Sequence, residues 1–138
     1  MKIAILNGPN LNLIGARQTD IYGKETFEEY LSKLKKTYPK IDFHYFQSNI
    51  EGELINEIQS AAKSMDGIIL NAGAYTHTSI AIGDAVASIK IPVVEVHISN
   101  IAAREEFRKY SHLSATCSGT IFGFGLKGYR LAVESFLQ

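Results

Sequence analysis

The chain has 138 residues, of which 46% are hydrophobic and 20% are charged, and these proportions are typical of one globular domain. Its 14 basic and 14 acidic residues cancel at neutral pH, so no overall field favours nucleic acid or an anionic membrane as a partner. No stretch approaches the roughly 20 apolar residues of a membrane span, and the N-terminus lacks the pattern of a signal peptide. With a single cysteine no internal disulfide can form, so we expect a cytoplasmic protein.

Short apolar runs alternate with helical patterns along the chain. Residues 2–7, 41–47, 67–71, 91–98 and 115–122 are predicted strands, and helical spacing predicts helices within 27–38, 54–65, 78–89 and 129–136, with a short helix near 104–109. Thr26 and Glu29 form a predicted capping box at the start of the first helix, and Ser48 with Glu51 predicts a second one. We expect Pro39 to end the first helix.

This strict alternation predicts a parallel sheet that is covered by helices on both faces. Five strands at this length indicate an α/β, flavodoxin-like three-layer fold with strand order 2-1-3-4-5. The sequence contains no repeat, linker or low-complexity segment, so we expect one domain over residues 1–138. In such sheets ligands bind beyond the carboxyl ends of the strands, where the strand order reverses.

Polar residues collect at three of these predicted strand ends, in segments 7–10, 71–77 and 95–100. With the order 2-1-3-4-5 the three strands are neighbours, so their ends are expected to converge on one crevice. The connection over 8–25 is longer than the about 2–6 residues usual for a strand-to-helix loop. It contains Arg17, Tyr22 and three glycines, which predicts a lid over the crevice.

Several segments resemble those of the type II dehydroquinases. They are Asn7-Gly8-Pro9-Asn10-Leu11-Asn12-Leu13, Arg17 followed by Tyr22-Gly23, Gln47-Ser48-Asn49-Ile50-Glu51-Gly52, Thr76-His77-Thr78-Ser79, Glu95-Val96-His97-Ile98-Ser99-Asn100 and Arg104-Glu105-Glu106-Phe107-Arg108. The resemblance runs from Lys2 to about Ala132, and the order and spacing of the segments make it specific. Three positions depart from the family pattern: Thr19 replaces a frequent proline, Ala102 a common histidine, and Gly83 a larger residue.

The resemblance implies a hydro-lyase of the shikimate pathway that removes water from 3-dehydroquinate through an enolate, without a cofactor. It implies Tyr22 as the base, His97 as the acid and Asn10 as the holder of a water that stabilises the enolate. A free tyrosine has a pKa of about 10, so a phenolate near neutral pH requires about 4 kcal/mol of stabilisation. Arg17 at about 4 Å would supply that much. Glu95 and His97 point to the same side of an extended strand, so the carboxylate is expected to orient the imidazole.

The resemblance also implies a set of residues that bind the substrate. The carboxylate partners are Asn71 and the backbone N–H groups of Ile98 and Ser99, and the hydroxyl partners are His77, Asp84 and Arg108. His77 and Asp84 are seven residues apart, which would place them on nearly the same face of one helix. In this family Asp84 reaches a neighbouring subunit's site, so a homo-oligomer is implied, with trimers assembled into a dodecamer. Without the resemblance, Asp84 would be interpreted as a solvated helix residue, and we interpret Arg104 as a structural or interface charge.

Gly123-Phe124-Gly125-Leu126-Lys127-Gly128 matches the G-x-G-x-x-G dinucleotide fingerprint. That fingerprint also requires an acidic residue at the end of a further strand, about 20 positions on, for which the chain has no room. We therefore interpret these glycines as a site of close helix–sheet packing.

A receiver-like or flavin-binding module on the same fold is a non-catalytic alternative. Receivers need acidic residues at the ends of the first and third strands, where this chain has asparagines. Flavodoxins need a Ser/Thr-rich loop after the first strand, where this chain has Gly8-Pro9-Asn10-Leu11. The other dehydroquinase type uses a lysine Schiff base, and no lysine is predicted in the crevice.

The four histidines show no metal-ligand spacing, so we expect no metal. Cys117 lies in a run of apolar and small residues and is predicted to belong to the core rather than act as a nucleophile.

Overall fold

The computed structural model describes residues 1–16, 20 and 23–137. Five parallel strands form one sheet: β1 (Lys2–Asn7), β2 (Asp42–Gln47), β3 (Gly67–Asn71), β4 (Val93–His97) and β5 (Gly119–Phe122). The described residues include the α-helices α1 (Phe27–Thr37), α2 (Glu51–Ala61), α3 (Ile80–Ser88) and α4 (Lys127–Phe136). The strand order is β2-β1-β3-β4-β5. The predicted flavodoxin-like fold and its strand order are therefore confirmed.

Each face of the sheet packs against two helices, because side chains alternate along the strands. On one face Ile5, Ile69 and Val96 pack with apolar residues of α1 and α4. On the other face Leu6 and Leu70 pack with α2, α3 and the loop residue Leu113. Burial on both faces explains why β3 is a continuous apolar run. Among the described residues, no helix is long and apolar enough to cross a membrane.

The two predicted capping boxes have different outcomes. At the start of α1, Thr26 Oγ1 accepts from the Glu29 N–H at 3.2 Å and the Thr26 N–H donates to Glu29 at 3.1 Å. That box is confirmed. The second box is wrong, because Ile50 is the N-cap of α2 and Ser48 lies two residues further out. The Ser48 hydroxyl instead accepts from the Ile50 N–H.

Several predicted boundaries shift because turns occupy the ends of the elements. The last strand begins at Gly119 rather than near Ala115, since the N–H groups of residues 116 and 117 bond back to Leu113 in a turn. The short helix predicted near 104–109 is a 3-10 turn over Glu106–Arg108. Ser79 caps α3, so His77 ends the preceding 3-10 turn (Gly73–His77) instead of sharing a helix with Asp84. The predicted common helix face of His77 and Asp84 is therefore wrong.

The glycines between β5 and α4 serve two purposes. A Cβ on Gly128 would lie 3.3 Å from Val96 Cγ1 and 3.6 Å from Ile121 Cγ2, so this position allows the close helix–sheet contact that was predicted. Gly123 and Gly125 have φ values of 92° and 61°, which favour glycine because a Cβ is disfavoured there. Those two glycines form the turn into α4, and the packing interpretation was wrong for them.

Candidate active site

A cavity of about 240 Å³ opens at the carboxyl edge of the sheet. It lies where the strand order reverses, beyond the ends of β1, β3 and β4, as the fold predicts. Its lining includes seven of the predicted site residues: Asn10, Asn71, His77, His97, Ile98, Ser99 and Arg108. The structure therefore brings most of the residues singled out from the sequence together around one space.

The other predicted site residues lie elsewhere. Glu95 is fully buried behind His97 rather than in the lining. Asp84 is exposed on α3 and does not line this cavity. Arg17 and Tyr22 lie outside the described residues. Arg104, which we had interpreted as a structural or interface charge, does line the cavity, with its Nη1 at 3.4 Å from Ser99 Oγ.

The turn after β1 places Asn10 at the cavity. Asn10 has a left-handed backbone with φ of 68°, a conformation that asparagine tolerates better than most residues. Its N–H donates to Asn49 Oδ1 at 3.0 Å, and Gln47 Nε2 donates to the Gly8 carbonyl at 3.1 Å. Gln47 also donates to Asn49 Oδ1 at 3.2 Å. The segment after β2 thus fixes the turn that presents Asn10.

A neutral network of hydrogen bonds supports Asn71 from the α1/α4 face of the sheet. Asn71 Nδ2 donates to the Tyr129 hydroxyl at 2.9 Å, and Tyr129 Oη donates to Asn7 Oδ1 at 2.8 Å. Asn71 Oδ1 accepts from the Gly73 N–H at 3.2 Å. Asn7 Nδ2 lies 3.5 Å from Tyr45 Oη, at the outer limit of a hydrogen bond. We call Asn7, Tyr45, Asn71 and Tyr129 the asparagine–tyrosine network.

A charged network supports His97 from the opposite face. Glu95 Oε1 lies 2.7 Å from His97 Nε2, and both side chains are buried, with His97 6% exposed. Ser111 and Ser114 donate hydroxyl hydrogen bonds to the same carboxylate. Burial alone raises the pKa of Glu95, but the hydrogen bonds from His97, Ser114 and Ser111 outweigh it and hold that pKa below its usual range. The carboxylate therefore stays ionised although it is buried, and His97 has its Nδ1 left for a ligand.

His77 stands beside His97 in a different electrostatic environment. Its Nδ1 lies 2.7 Å from the Tyr110 carbonyl, so Nδ1 is the protonated nitrogen that donates. The two imidazole rings stack with centroids 6.1 Å apart. Burial, and then the charges of His97 and Arg108, lower the pKa of His77. His77 is thus a neutral hydrogen-bonding group near neutral pH.

Two arginines give the cavity a positive wall. Arg108 Nε contacts Glu105 Oε2 at 2.8 Å, and Arg104 Nε lies 3.8 Å from the same oxygen. Arg108 also stacks over the ring of Phe107, with its guanidinium carbon 5.2 Å from the centroid. Both guanidinium groups are held in place while they line the cavity, and they are suited to anionic or hydroxylated ligands.

Cys117 is half-buried and packs against the apolar cluster of the α2/α3 face. Burial, together with the charge of Glu95, raises the pKa of its thiol to about 12. A thiol that stays protonated at neutral pH is a poor nucleophile. Its position agrees with the predicted place in the core.

Comparison with known proteins identifies the family. The family model described as dehydroquinase class II matches residues 1–137. The chain is a class II dehydroquinase. It is 55% identical over 144 residues to the 3-dehydroquinate dehydratase of Fusobacterium nucleatum, covering 100% of this chain and 97% of that protein.

Solved structures agree with this assignment. The type II dehydroquinase of Butyrivibrio crossotus superposes with a TM-score of 0.96 at 46% identity, covering 100% of this chain and 98% of that chain. The type II dehydroquinase of Propionibacterium acnes has a TM-score of 0.93 at 42% identity, covering 98% and 94% of the two chains. The chain is therefore an enzyme with the family's fold over nearly its whole length.

Three structural features of this dehydroquinase were missed in the sequence. Tyr129 was included only as part of the last predicted helix (129–136), although a buried tyrosine normally has a hydrogen-bond partner for its hydroxyl. Ser111 and Ser114 lie in a loop, where no helical or strand periodicity predicts which way their side chains point. Arg104 also lines the cavity. It lies four residues before Arg108, a spacing that would place both side chains on one face of a regular α-helix.

Proposed function

We propose that this enzyme is a 3-dehydroquinate dehydratase of the shikimate pathway, in which one catalytic domain eliminates water from 3-dehydroquinate to give 3-dehydroshikimate. The names of the relatives support the reaction. The observation that best supports His97 as the general acid is its pairing with Glu95. The imidazole lines the cavity, and the buried carboxylate contacts its Nε2. The proposal requires no cofactor.

The elimination proceeds through an enolate. Tyr22, as a phenolate stabilised by Arg17, takes the proton from the carbon next to the ketone, and the electron pair moves onto the carbonyl oxygen. A water held by Asn10 stabilises that oxyanion. The ketone then re-forms, the neighbouring C–O bond breaks, and the leaving hydroxyl takes a proton from His97. The two groups end with Tyr22 protonated and His97 neutral. Tyr22 then releases its proton to solvent and His97 takes one up from solvent, which restores both groups.

Substrate binding follows from the cavity lining. Asn71 and the backbone N–H groups of Ile98 and Ser99 are suited to the carboxylate, because they converge beyond the ends of β3 and β4. His77 and Arg108 are suited to the ring hydroxyls, because the neutral imidazole accepts a hydrogen bond through Nε2 while its Nδ1–H donates to Tyr110, and the guanidinium donates. This division uses the polar groups that the cavity presents and leaves His97 for the leaving group.

Asp84 is proposed to complete the site of a neighbouring subunit. It is exposed on α3 and does not line the cavity of its own chain, which is what a residue that serves another subunit requires. We accordingly propose a cytoplasmic homo-oligomer, a dodecamer built from trimers. A monomer in sedimentation analysis would contradict this assembly.

The reaction is tested by mixing purified protein with 3-dehydroquinate and following the ultraviolet absorbance of the conjugated enone product. We expect the His97→Asn and Tyr22→Phe variants each to lose about 100-fold or more in kcat, since general acid–base groups contribute about that much. His44→Asn is the matched control, because His44 on β2 also pairs with a glutamate, with its Nε2 2.6 Å from Glu57 Oε1. It should keep the wild-type rate.

The outcomes separate the reaction from its mechanism. Absorbance that does not grow with folded wild-type protein would overturn the dehydratase assignment. Full activity in His97→Asn would keep the reaction but remove His97 as the acid, and full activity in Tyr22→Phe would remove Tyr22 as the base. Circular dichroism of each variant verifies that lost activity does not reflect lost folding.

A further inference from the structure

The carboxylate of Glu95 lies in a hydroxyl cage, which we define as the side chains of Ser111, Ser114 and Thr120. Ser111 Oγ lies 2.8 Å from Oε1, the oxygen that also accepts from His97. Ser114 Oγ donates to Oε2, and Thr120 Oγ1 lies 3.2 Å from the same atom. Each oxygen of this fully buried carboxylate therefore has two donors within reach.

The cage is set by the sheet register and by backbone contacts. Thr120 on β5 is the direct partner of Glu95 on β4, so its hydroxyl lies beside the carboxylate. Ser111 Oγ accepts from the N–H groups of Leu113 and Ser114 at 3.0 and 3.1 Å, so its own proton is left for Glu95. The cage is thus a built feature of the fold rather than a chance contact of mobile side chains.

The segment that carries the two serines is held from behind. The His112 N–H donates to the Thr76 carbonyl at 2.9 Å, and Leu113 is fully buried. Gly83 on α3 permits this approach, because a Cβ there would lie 2.6 Å from the His112 carbonyl oxygen. The departure at residue 83 noted in the sequence therefore has a structural reason.

We propose that the hydroxyl cage positions Glu95 and sets how strongly its carboxylate stabilises the imidazolium form of His97. This inference rests on the proposed role of His97 as the acid. Each hydroxyl directs the positive end of its dipole at the carboxylate and so makes that anion a weaker base. A more basic carboxylate at Nε2 would stabilise the imidazolium more strongly and so make its Nδ1 proton a weaker acid. Ser111, Ser114 and Thr120 contact Glu95 but are absent from the cavity lining, so they are positioning residues.

Other titratable groups surround this pair. His77 stacks on His97 and is kept neutral by burial and by the charges of His97 and Arg108, which lower its pKa. The thiol of Cys117 is neutral as well, with its pKa raised to about 12 by burial and by Glu95. Neither of these two groups therefore adds a charge of its own beside the Glu95–His97 pair at neutral pH.

The test compares the pH dependence of kcat in Ser114→Ala and Glu95→Gln. Removing the Ser114 dipole leaves a more basic anion, so the alkaline limb, where His97 loses its proton, should move to higher pH by up to about one unit, with a lower plateau. Removing the anion itself should move the limb to lower pH. In the double variant the effect of Ser114→Ala should vanish. Thr116→Ala is the control, because Thr116 donates to the Leu113 carbonyl in the same segment and does not touch Glu95.

Histidine NMR of the enzyme without substrate gives a readout that does not depend on turnover. With four histidines in the chain, the His97 signal is assigned from His97→Asn, and its titration should move in the same opposite directions in the two variants. If the titration moves as expected but no dehydratase activity exists, the proposed function fails and the cage stands. If activity exists but the limb and the titration stay unchanged in Ser114→Ala, or move as in Glu95→Gln, the cage proposal is overturned.

A second pair of variants protects the test against misfolding. Thr120→Val removes a cage hydroxyl at nearly constant shape, and Thr120→Ser keeps it. We expect Thr120→Val to move the titration in the direction of Ser114→Ala by a smaller amount, because the Thr120 proton is shared with Ser114 Oγ, 3.2 Å away. Thr120→Ser should restore the wild-type profile. Equal behaviour of the two variants would contradict the proposal.

Discussion

The asparagine–tyrosine network and the charged network of Glu95, His97, Ser111 and Ser114, which we call the Glu95 network, lie on opposite faces of the sheet. Each supports one residue of the same cavity. The first presents Asn71 and consists of neutral amides and phenols. The second presents His97 and contains an ionised carboxylate. Burial raises the pKa of Tyr45 to about 12, so the first network stays uncharged over the working pH range. The asparagine–tyrosine network therefore holds Asn71 independently of its own charge, whereas the Glu95 network couples the position of His97 to the protonation of Glu95.

The largest expected effect comes from removing the charge. In Glu95→Gln the free energy of unfolding at pH 7 should fall by about 2–3 kcal/mol, because donors matched to an anion face an amide instead. The pKa of Glu95 is lower in the folded protein than its ordinary value of 4.5. Its contribution is therefore fully present above that value and is lost as the pH falls toward the folded pKa.

Urea unfolding of wild type and Glu95→Gln between pH 7 and pH 3 measures this difference. The two stabilities should converge as the medium becomes acidic. A constant gap over the whole range would show that the carboxylate contributes shape and not charge.

A smaller effect is expected from Tyr129→Phe. It removes a fully buried hydroxyl that joins two asparagines, and the free energy of unfolding should fall by about 1–2 kcal/mol, equally at pH 5 and pH 8. Because Asn71 would lose the hydrogen bond from its Nδ2 to Tyr129 and keep only the one from the Gly73 N–H, KM for 3-dehydroquinate should rise by about 3–10-fold while kcat changes less. The KM effect separates this network from the Glu95 network, which acts on kcat.

Tyr30→Phe is the matched control for Tyr129→Phe. Tyr30 belongs to the same aromatic cluster, with ring centroids 6.3 Å apart, and its buried hydroxyl has no well-formed hydrogen bond to any described residue. This variant should leave KM unchanged. A rise in KM equal to that of Tyr129→Phe would indicate a general packing effect.

The smallest effect is expected from Tyr45→Phe. The contact of Tyr45 Oη with Asn7 Nδ2 is 3.5 Å long, and hydrogen bonds weaken at that length. We expect a loss of less than about 0.5 kcal/mol in the free energy of unfolding, measured by the same urea titration. A loss as large as that of Tyr129→Phe would mean that the network extends further from the cavity than its distances indicate.

The fold could be predicted from the sequence because each element is locally consistent with it. Strand β3, which is apolar up to Leu70, and the capping box of α1 were both predicted correctly, because each is encoded by a few consecutive residues. Element ends were less accurate where a turn competed with a strand, as before Gly119. No periodicity distinguishes the last residue of a strand from the first residue of a tight turn.

The site was predictable only where its residues follow strands. Asn71 and His97 stand at strand ends, so their convergence followed from the strand order. Ser111 and Ser114 reach Glu95 through a loop whose path depends on contacts with α3, which sequence spacing does not encode. Tyr129 was included in the correct predicted helix, but its partners come from strands more than 50 residues away in the chain.

The near-contact between Gly83 and the His112 carbonyl also has a consequence for protein engineering. Residue 83 and segment 111–114 must be exchanged together, because a side chain at residue 83 requires the segment to lie further from α3. A chimaera that takes α3 from a relative with a larger residue there, and keeps this chain's 111–114, would displace both serines from Glu95. Exchanging the two pieces together would preserve their fit.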